Sequence, residues 1–236
     1  MASATEPGFV EEAKARAKLL AWPVAVVWAV HLVNSVLGHA FDAFGVVPRT
    51  LGGLLGIALA PLLHASWGHL IHNTISFLMI GWILMLRNRR DVYWVGLVSA
   101  LAAGIGTWLV GAAHSVHIGA SGLIFGLLGY LLSRGVFEKK IWPILGTLVG
   151  LFFFAGSLRG LFPGVPGISW EGHLFGFLGG ILAAWLGSGA PLRERIAAMK
   201  PRARIAAPPE RKRVAEPPAE TSIDDDLEEL RRKMRR

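Results

Sequence analysis

Six apolar segments follow one another between residues 19 and 188 of this chain. They cover residues 19–37, 69–86, 92–113, 121–137, 141–158 and 171–188. A membrane-spanning helix needs about 20 apolar residues, and fewer where one end lies below the membrane surface. The pattern therefore predicts an all-α polytopic membrane protein, built as a bundle of six transmembrane helices.

The remaining sequence divides the chain into three parts. We expect residues 1–18 to be a polar cytoplasmic segment, 19–188 the membrane domain, and 189–236 a cytoplasmic tail that is largely disordered. The tail ends in TSIDDDLEELRRKMRR, where Ser222 could cap a short helix with acids in its first turns and bases in its last. That helix would rest on a surface or in solvent, or dock on a partner.

Two stretches need a separate interpretation. Residues 19–37 resemble the apolar part of a signal peptide, but the stretch is long and no small-x-small cleavage site follows, so we expect a retained span. Residues 38–68 form a long apolar loop on the outer side, interrupted by glycines and Pro48. We expect this loop to rest partly in the membrane interface.

Composition supports the membrane class and narrows the chemistry. The chain is 53% hydrophobic and only 17% charged, too little charge to cover a soluble domain of 236 residues. It has no cysteine, which excludes thiol catalysis and cysteine-ligated metals. The net charge of +8 is spread over loops and tail, a distribution that argues against nucleic-acid binding and for segments that flank a membrane.

The basic residues also predict the orientation. Cytoplasmic loops of membrane proteins carry an excess of Lys and Arg. Three clusters lie on one side of the predicted membrane: Arg87, Arg89 and Arg90; Arg134, Lys139 and Lys140; Arg193, Arg195 and Lys200. Only Arg49 and Arg159 lie on the other side. Both termini are therefore expected in the cytoplasm of a multi-pass protein of the cell membrane.

This topology brings polar residues from distant parts of the chain to one membrane face. The second, fourth and sixth spans all run from outside to inside, and they begin near His69, Ser121 and His173. Asn73 lies four residues after His69, on the same helix face. Gly122, Gly126 and Gly129 line one side of the fourth span and Gly172, Gly176 and Gly180 one side of the sixth, so the two backbones can approach closely and bring Ser121 towards His173.

The chemistry of these residue types points to acyl transfer. A serine becomes a nucleophile when a base takes its proton, and histidine suits that role near neutral pH. No carboxylate is placed to orient His173, so a Ser121–His173 dyad is the simpler hypothesis. The side-chain N–H groups of His69 and Asn73, with the backbone N–H of Ser121, could stabilise the negative oxygen that forms during attack.

Three motifs resemble those of the rhomboid intramembrane serine proteases: GASG followed by Gly126, HASWGHLIHN, and EGHLFGFLGG. The resemblance covers residues 19–188 in family order. It implies a rhomboid-like bundle in which Ser121 is the nucleophile, His173 the base, and His69 and Asn73 the oxyanion donors. It assigns motif or structural roles to Gly119, Gly122, Gly126, His64, Gly176 and Gly180. It further implies single-span transmembrane proteins as substrates, cleaved near the outer membrane face, with no cofactor.

The chain departs from the family pattern at two places. Phe125 stands where the family often has tyrosine, so it can pack on the histidine but offers no hydroxyl. The Trp-Arg pair common in the family's first outer loop is absent.

Three other functions compete with the protease. A catalytically silent rhomboid-like protein would bind transmembrane clients, but such proteins usually lack the serine or the histidine. A transporter or proton channel would need an intramembrane acid, which the sequence does not offer. A zinc protease using His64, His69 and His72 would need a His-Glu-x-x-His motif, which is absent, so we expect no metal site.

Overall fold

A computed structural model describes residues 8–86, 88–138, 141–187 and 223–235, and it is helical within these ranges apart from connecting loops. The all-α prediction is confirmed for these residues. They contain the α-helices α1 (Phe9–Val36), α2 (Leu51–Leu59), α3 (Trp67–Met85), α4 (Asp91–Val110), α5 (Ser121–Glu138), α6 (Ile141–Phe154), α7 (Trp170–Gly187) and α8 (Ile223–Lys233). Three 3₁₀ segments join them, at Ala40–Phe44, Ala60–Leu62 and Ala155–Leu161.

Helices occupy all six predicted spans, and four of them are long and apolar enough to cross a membrane. These four are Phe9–Val36, Trp67–Met85, Asp91–Val110 and Ile144–Leu161, the last of which extends α6 through the following 3₁₀ segment. The protein is therefore a multi-pass membrane protein. The other two, α5 and α7, are central helices, so little of their surface needs to be as apolar as a helix that faces lipid. Ser121–Arg134 of α5 is a shorter apolar helix, and α7 carries buried glycines together with Glu171 and His173.

The helices are arranged around α5 and α7. These two pack most extensively on each other, α4 packs on both, α6 lies against α5, and α3 joins α5 to α1. A hydrophobic core runs between them, with Ile80 of α3, Val95 of α4 and Leu127 of α5 fully buried. The three helices that carry predicted site residues near their starts are α3, α5 and α7. Both α3 and α7 therefore pack on α5.

The first helix is longer than the sequence pattern predicts. It begins at Phe9, ten residues before the predicted span, because the intervening Glu, Ala, Lys and Arg residues are good helix formers and continue the helix. Pro23 lies inside α1 and cannot donate to the carbonyl of Leu19. The hydroxyl of Tyr93 on α4 donates a 2.6 Å hydrogen bond to that carbonyl, so the freed acceptor is satisfied.

Ion pairs join the helices at the end opposite to the predicted site. Asp91 at the start of α4 accepts hydrogen bonds from Arg134 of α5 at 2.6 Å and from the Tyr130 hydroxyl at 2.7 Å. Arg89 pairs with Glu12 of α1. These contacts fix the loop between α3 and α4 to its neighbours. Other basic residues of the orientation argument, namely Arg87, Lys139, Lys140, Arg193, Arg195 and Lys200, lie outside the described residues.

The segment between α1 and α3 is folded against α4. Its helix α2 begins after Thr50, whose hydroxyl accepts the N–H of Gly53 at 3.0 Å, and Ile57 lies against Gly104 of α4. Arg49 donates to the carbonyls at the end of α4, those of Leu109 at 3.1 Å and Gly111 at 2.9 Å. A cation at this position also opposes the negative end of the helix dipole. This loop is therefore held to α4 in a chain that lacks the family's Trp-Arg pair.

The chain divides into two compact units, one up to Leu192 and one from Arg193. In the second unit, the described residues form α8, whose Lys233 pairs with Glu229 at 2.9 Å and whose Leu227 and Leu230 are exposed. Ser222, expected as the cap of this helix, and the linker expected to be disordered lie outside the described residues.

Candidate active site

Three helix starts carry the polar residues that the sequence singles out. Ser121 is the first residue of α5, and His173 lies in the first turn of α7. In α3, the hydroxyl of Ser66 accepts the N–H of His69 at 3.2 Å and so caps the helix. Ser121, His173 and His69 line one cavity, so the structure brings together the groups that the predicted topology placed at one membrane face.

Ser121 and His173 form a hydrogen-bonded pair. Ser121 Oγ lies 2.8 Å from His173 Nε2, and His173 Nδ1 lies 3.1 Å from the carbonyl oxygen of Gly160. A carbonyl oxygen only accepts hydrogen bonds, so Nδ1 carries the proton. In a neutral imidazole this leaves Nε2 to accept from the Ser121 hydroxyl. The histidine is thus in the tautomer that can take the serine's proton.

The ring of His173 is held in place from two sides. Phe125 stacks on it, with ring centroids 4.1 Å apart and an angle of 17° between the planes. A Cβ atom at Gly160 would lie 3.0 Å from Nδ1, so a side chain there would crowd the ring. Sequence reasoning found no orienting carboxylate, and the structure places the Gly160 carbonyl in that position. Sequence reasoning did not identify Gly160, because any residue carries a carbonyl.

Glycines let α5 and α7 approach until their backbones touch. A Cβ atom on Gly176 would collide with the carbonyl group of Gly122, and one on Gly180 with that of Gly126. Gly122 follows Ser121 directly, and Gly176 lies one helical turn after His173. The close packing of these two faces therefore sets how near the serine comes to the histidine.

On α3, Asn73 is positioned by His64. Asn73 is buried, and its Nδ2 lies 2.9 Å from His64 Nε2. Since an amide NH₂ only donates, His64 accepts one of its two N–H bonds and leaves the other available. Burial is the main cause that lowers the pKa of His64, to about 4, and the nearby imidazoles of His69 and His31 add to it. His64 is therefore neutral at physiological pH and can accept this bond.

Gly119 brings the backbone before Ser121 against the same helix. Its φ of +117° lies in a region that favours glycine, and a Cβ atom there would lie 2.6 Å from His69 Cε1 and 3.7 Å from Asn73 Nδ2. The Gly119 N–H donates to the carbonyl of Ala60 at 2.8 Å, which anchors the loop. His69 and Asn73 thus face the chain that leads into Ser121.

The cavity in front of the dyad has a volume of about 700 Å³. One wall is α3, with His69, Asn73 and the exposed His72, and another is the 3₁₀ segment after α6, with Gly160. This volume falls in the range of pockets that hold small ligands or short peptide segments. His72 lines the cavity but makes no hydrogen bond that fixes it. Among the described residues, no group of three His, Asp or Glu side chains is arranged to hold a metal ion.

Two further polar residues near the dyad were not identified as functional from the sequence. His117 lies four residues before Ser121 and Ser169 four residues before His173, and they are hydrogen-bonded to each other at 2.8 Å. The sequence analysis assigned no role to either residue. Their equal spacing from Ser121 and His173 is the sequence signal that could have drawn attention to them.

A family model and several known proteins match most of the helical region of this chain. A family model described as Rhomboid domain matches residues 51–190, which include α2 to α7 and every predicted site residue. An uncharacterized protein of Mycobacterium tuberculosis is 41% identical over 188 residues, covering 76% of this chain and 78% of the relative. An uncharacterized protein of Mycobacterium leprae is 39% identical over 179 residues, covering 72% of this chain and 70% of the relative.

A third relative carries a functional name. The Bacillus subtilis protein named "Putative rhomboid protease YdcA" is 32% identical over 136 residues, covering 53% of this chain and 63% of that protein.

Proposed function

Because this chain belongs to the rhomboid family, we propose that it is an intramembrane serine endopeptidase that hydrolyses peptide bonds of transmembrane proteins. The observation that carries the proposal is the 2.8 Å hydrogen bond from the Ser121 hydroxyl to His173 Nε2. The alternative is a catalytically silent relative that binds transmembrane clients. An intact and correctly oriented dyad favours the enzyme.

In the proposed reaction, His173 Nε2 takes the proton of the Ser121 hydroxyl while Oγ attacks the carbonyl carbon of the scissile bond. The tetrahedral intermediate collapses when His173 returns the proton to the leaving nitrogen, which gives an acyl-enzyme and a free amine. Water then adds to the ester in the same way, its proton passing through His173. The second product is a carboxylic acid, and Ser121 regains its proton.

The tetrahedral intermediate carries a negative oxygen, for which α3 supplies donors. We assign this role to the side chains of His69 and Asn73 and to the backbone N–H of Ser121. The support is that Asn73 keeps one N–H unused while His64 holds the other, and that His69 faces the loop before Ser121. Donors fixed before the reaction stabilise a transition state without reorganising.

The substrate is proposed to be a single-span transmembrane protein whose helix unwinds easily near the site. A hydrogen-bonded helix hides its carbonyl groups, so helix-breaking residues must expose one before Ser121 can attack it. The cavity of about 700 Å³ has room for such an extended segment. Its polar lining residues, among them His72, Ser157 and Arg159, also admit the water that the second step consumes.

The proposal also includes the topology of the protein in the membrane. We propose that α1, α3, α4, α5, α6 and α7 all cross the membrane, with both termini in the cytoplasm and the dyad towards the extracytoplasmic face. The support is the position of Arg89 and Arg134 at the helix ends opposite to the dyad.

A direct test uses purified protein and a panel of single-span substrates that differ in helix-breaking residues. The wild type is expected to cleave the substrates that unwind easily, and Ser121→Ala to cleave none of them. Equal cleavage by both proteins would overturn the assignment of Ser121. No cleavage of any substrate by the wild type, together with stable binding of them, would favour the silent client-binding protein.

A further inference from the structure

The chain segments that precede Ser121 and His173 are joined to each other by a hydrogen bond outside the dyad. His117 and Ser169 each lie four residues before a dyad residue, and His117 Nδ1 is 2.8 Å from Ser169 Oγ. The glycine contacts of α5 and α7 begin only at Gly122 and Gly172, after the first residues of these helices. Helix ends fray, and both reacting side chains lie in first turns. The hydrogen bond joins the two chain segments ahead of the first glycine contact, in which Gly122 meets Gly172.

The direction of each hydrogen bond in this chain of groups can be assigned. The Ser115 hydroxyl donates to the carbonyl of Ala112 at 2.6 Å, so it accepts from His117 Nε2 at 2.6 Å. With its proton on Nε2, the neutral imidazole of His117 accepts the Ser169 hydroxyl at Nδ1. Ser169 Oγ in turn accepts the backbone N–H of Gly172 at 3.3 Å. We call the hydrogen bond between His117 and Ser169 the tie. Every donor and acceptor of these two side chains thus has a partner.

Both ends of the tie are anchored in the backbone. His117 exchanges two backbone hydrogen bonds with Val46, each 2.9 Å, and the Ser169 carbonyl accepts the N–H of His173 at 3.1 Å. A displacement of Ser169 is therefore transmitted to His173, and His117 is followed after three residues by Ser121. All four residues line one small cavity of about 40 Å³.

Burial favours the neutral form of the His117 imidazole. Burial lowers the pKa of His117, and the nearby carboxylate of Glu171 opposes this effect in part. Of the groups that face the imidazole, Ser115 and Ser169 are hydroxyls, and Glu171 is the acid. A neutral ring is the form in which Nδ1 can accept the Ser169 hydroxyl.

We propose that His117 and Ser169 are positioning residues that hold Ser121 and His173 at reacting distance by joining the loops in front of α5 and α7. This inference rests on the proposed protease function. His117 does not line the cavity in front of the dyad, whereas Ser169 does, so His117 gives the cleaner test of positioning. Their effect is on the rate at which Ser121 reacts, and not on how the substrate binds.

The test compares His117→Ala, Ser169→Ala and the double variant with the wild type. The readouts are the rate at which a small fluorophosphonate labels Ser121, the kcat and KM of cleavage, and the melting temperature. Each single variant is expected to lower the labelling rate and kcat about tenfold, because small displacements of reacting groups are costly. KM and the melting temperature should stay close to wild type. The double variant should be no slower than the slower single variant, because both remove the same bond.

Conservative replacements separate this role from general folding. His117→Asn places an amide oxygen near the position of Nδ1, and Ser169→Thr keeps the hydroxyl, so both are expected to retain most of the labelling rate. His114→Asn is the matched control, since His114 is an exposed histidine of the same loop with φ of +63°, a conformation that asparagine tolerates.

The outcomes distinguish this inference from the proposed function. Wild-type rates in both alanine variants would overturn the tie and leave the protease intact. Losses that follow a fall in melting temperature, and that Asn or Thr does not restore, would also overturn it. A wild-type protein that neither labels nor cleaves would overturn the proposed function and this inference with it.

Discussion

At the scale of single residues, the site depends on which nitrogen of each histidine is free. The Gly160 carbonyl fixes the proton of His173 on Nδ1, and Ser115 fixes that of His117 on Nε2. His64 is neutral because burial lowers its pKa, and it can therefore accept from Asn73. Each imidazole is thus set in one tautomer by a backbone or side-chain neighbour, without a carboxylate partner.

The first prediction concerns the donors on α3. Asn73→Ala and His69→Ala are each expected to reduce kcat by about 10²–10³, the usual effect of losing one oxyanion donor. KM should change little, because the donors act only on the negative oxygen of the transition state. The melting temperature of His69→Ala should stay close to wild type, whereas Asn73→Ala also leaves the buried Nε2 of His64 without its donor and should melt lower. Steady-state cleavage assays measure the effect.

His72→Ala is the control for these two variants, because His72 lines the same cavity on the same helix without a hydrogen bond that fixes it. It is expected to retain most activity. Normal cleavage by Asn73→Ala and His69→Ala, or failure only through unfolding, would remove the oxyanion role.

The second prediction concerns His64 and pH. Its pKa is about 4 in the folded protein and near 6.5 in the unfolded chain, so between these values the unfolded chain binds more protons. The free energy of unfolding should therefore fall as the pH drops from about 6.5 to about 4, and His64 accounts for about 1–3 kcal/mol of this loss. Thermal unfolding of detergent-solubilised protein at a series of pH values measures this slope.

His64→Gln removes the titrating group and keeps an oxygen that can accept from Asn73. Its melting temperature should depend less steeply on pH than that of the wild type. Identical slopes for the two proteins would show that His64 does not titrate as described.

The sequence identifies the candidate site residues, but it does not show which other residues hold them in position. Topology alone placed His69, Ser121 and His173 at one face, because alternate spans run in the same direction. The roles of Gly160 and of the His117–Ser169 pair depend on where two loops fold back onto the helices. No periodic pattern encodes that path, since loop backbones obey no fixed spacing.

At the scale of helices, the pair formed by α5 and α7 determines the site. Sequence pattern located both helices within a few residues, because glycine spacing and apolar runs are local signals. It missed the early start of α1, where helix-forming polar residues extend a helix beyond its apolar part. Glu171 and His173 are buried in α7, since a helix enclosed by protein need not be apolar on every face.

The third prediction tests the contact between these helices. Gly176→Ala would place a Cβ atom against the carbonyl group of Gly122 and force α5 and α7 apart. We expect a loss of about 1–3 kcal/mol in the free energy of unfolding, as for other overpacked cores, together with a lower labelling rate of Ser121.

Gly187→Ala is the matched control in α7, because nothing lies within 4 Å of the Cβ position there. It should behave as the wild type in unfolding and labelling experiments. Equal stability of the Gly176 and Gly187 variants would mean that the two backbones are not in contact at Gly176.

At the scale of the whole molecule, the account requires that the dyad and the basic loops lie on opposite sides of the membrane. The fourth prediction uses the absence of cysteine from the chain, which makes single-cysteine variants unambiguous. In intact cells, a membrane-impermeant maleimide is expected to label Ala113→Cys, in the outer loop before Ser121. Arg90→Cys, in the loop before α4, should react only after the membrane is opened. The reverse pattern would invert the proposed topology.

The most direct test of the central claim identifies the residue that reacts as a nucleophile. Purified wild-type protein is treated with a fluorophosphonate, and the modified residue is located by peptide mass spectrometry. The account predicts that Ser121 alone is modified, and that His173→Ala, which folds but lacks the base, is not labelled. Modification of another serine, or labelling that persists in Ser121→Ala, would contradict it.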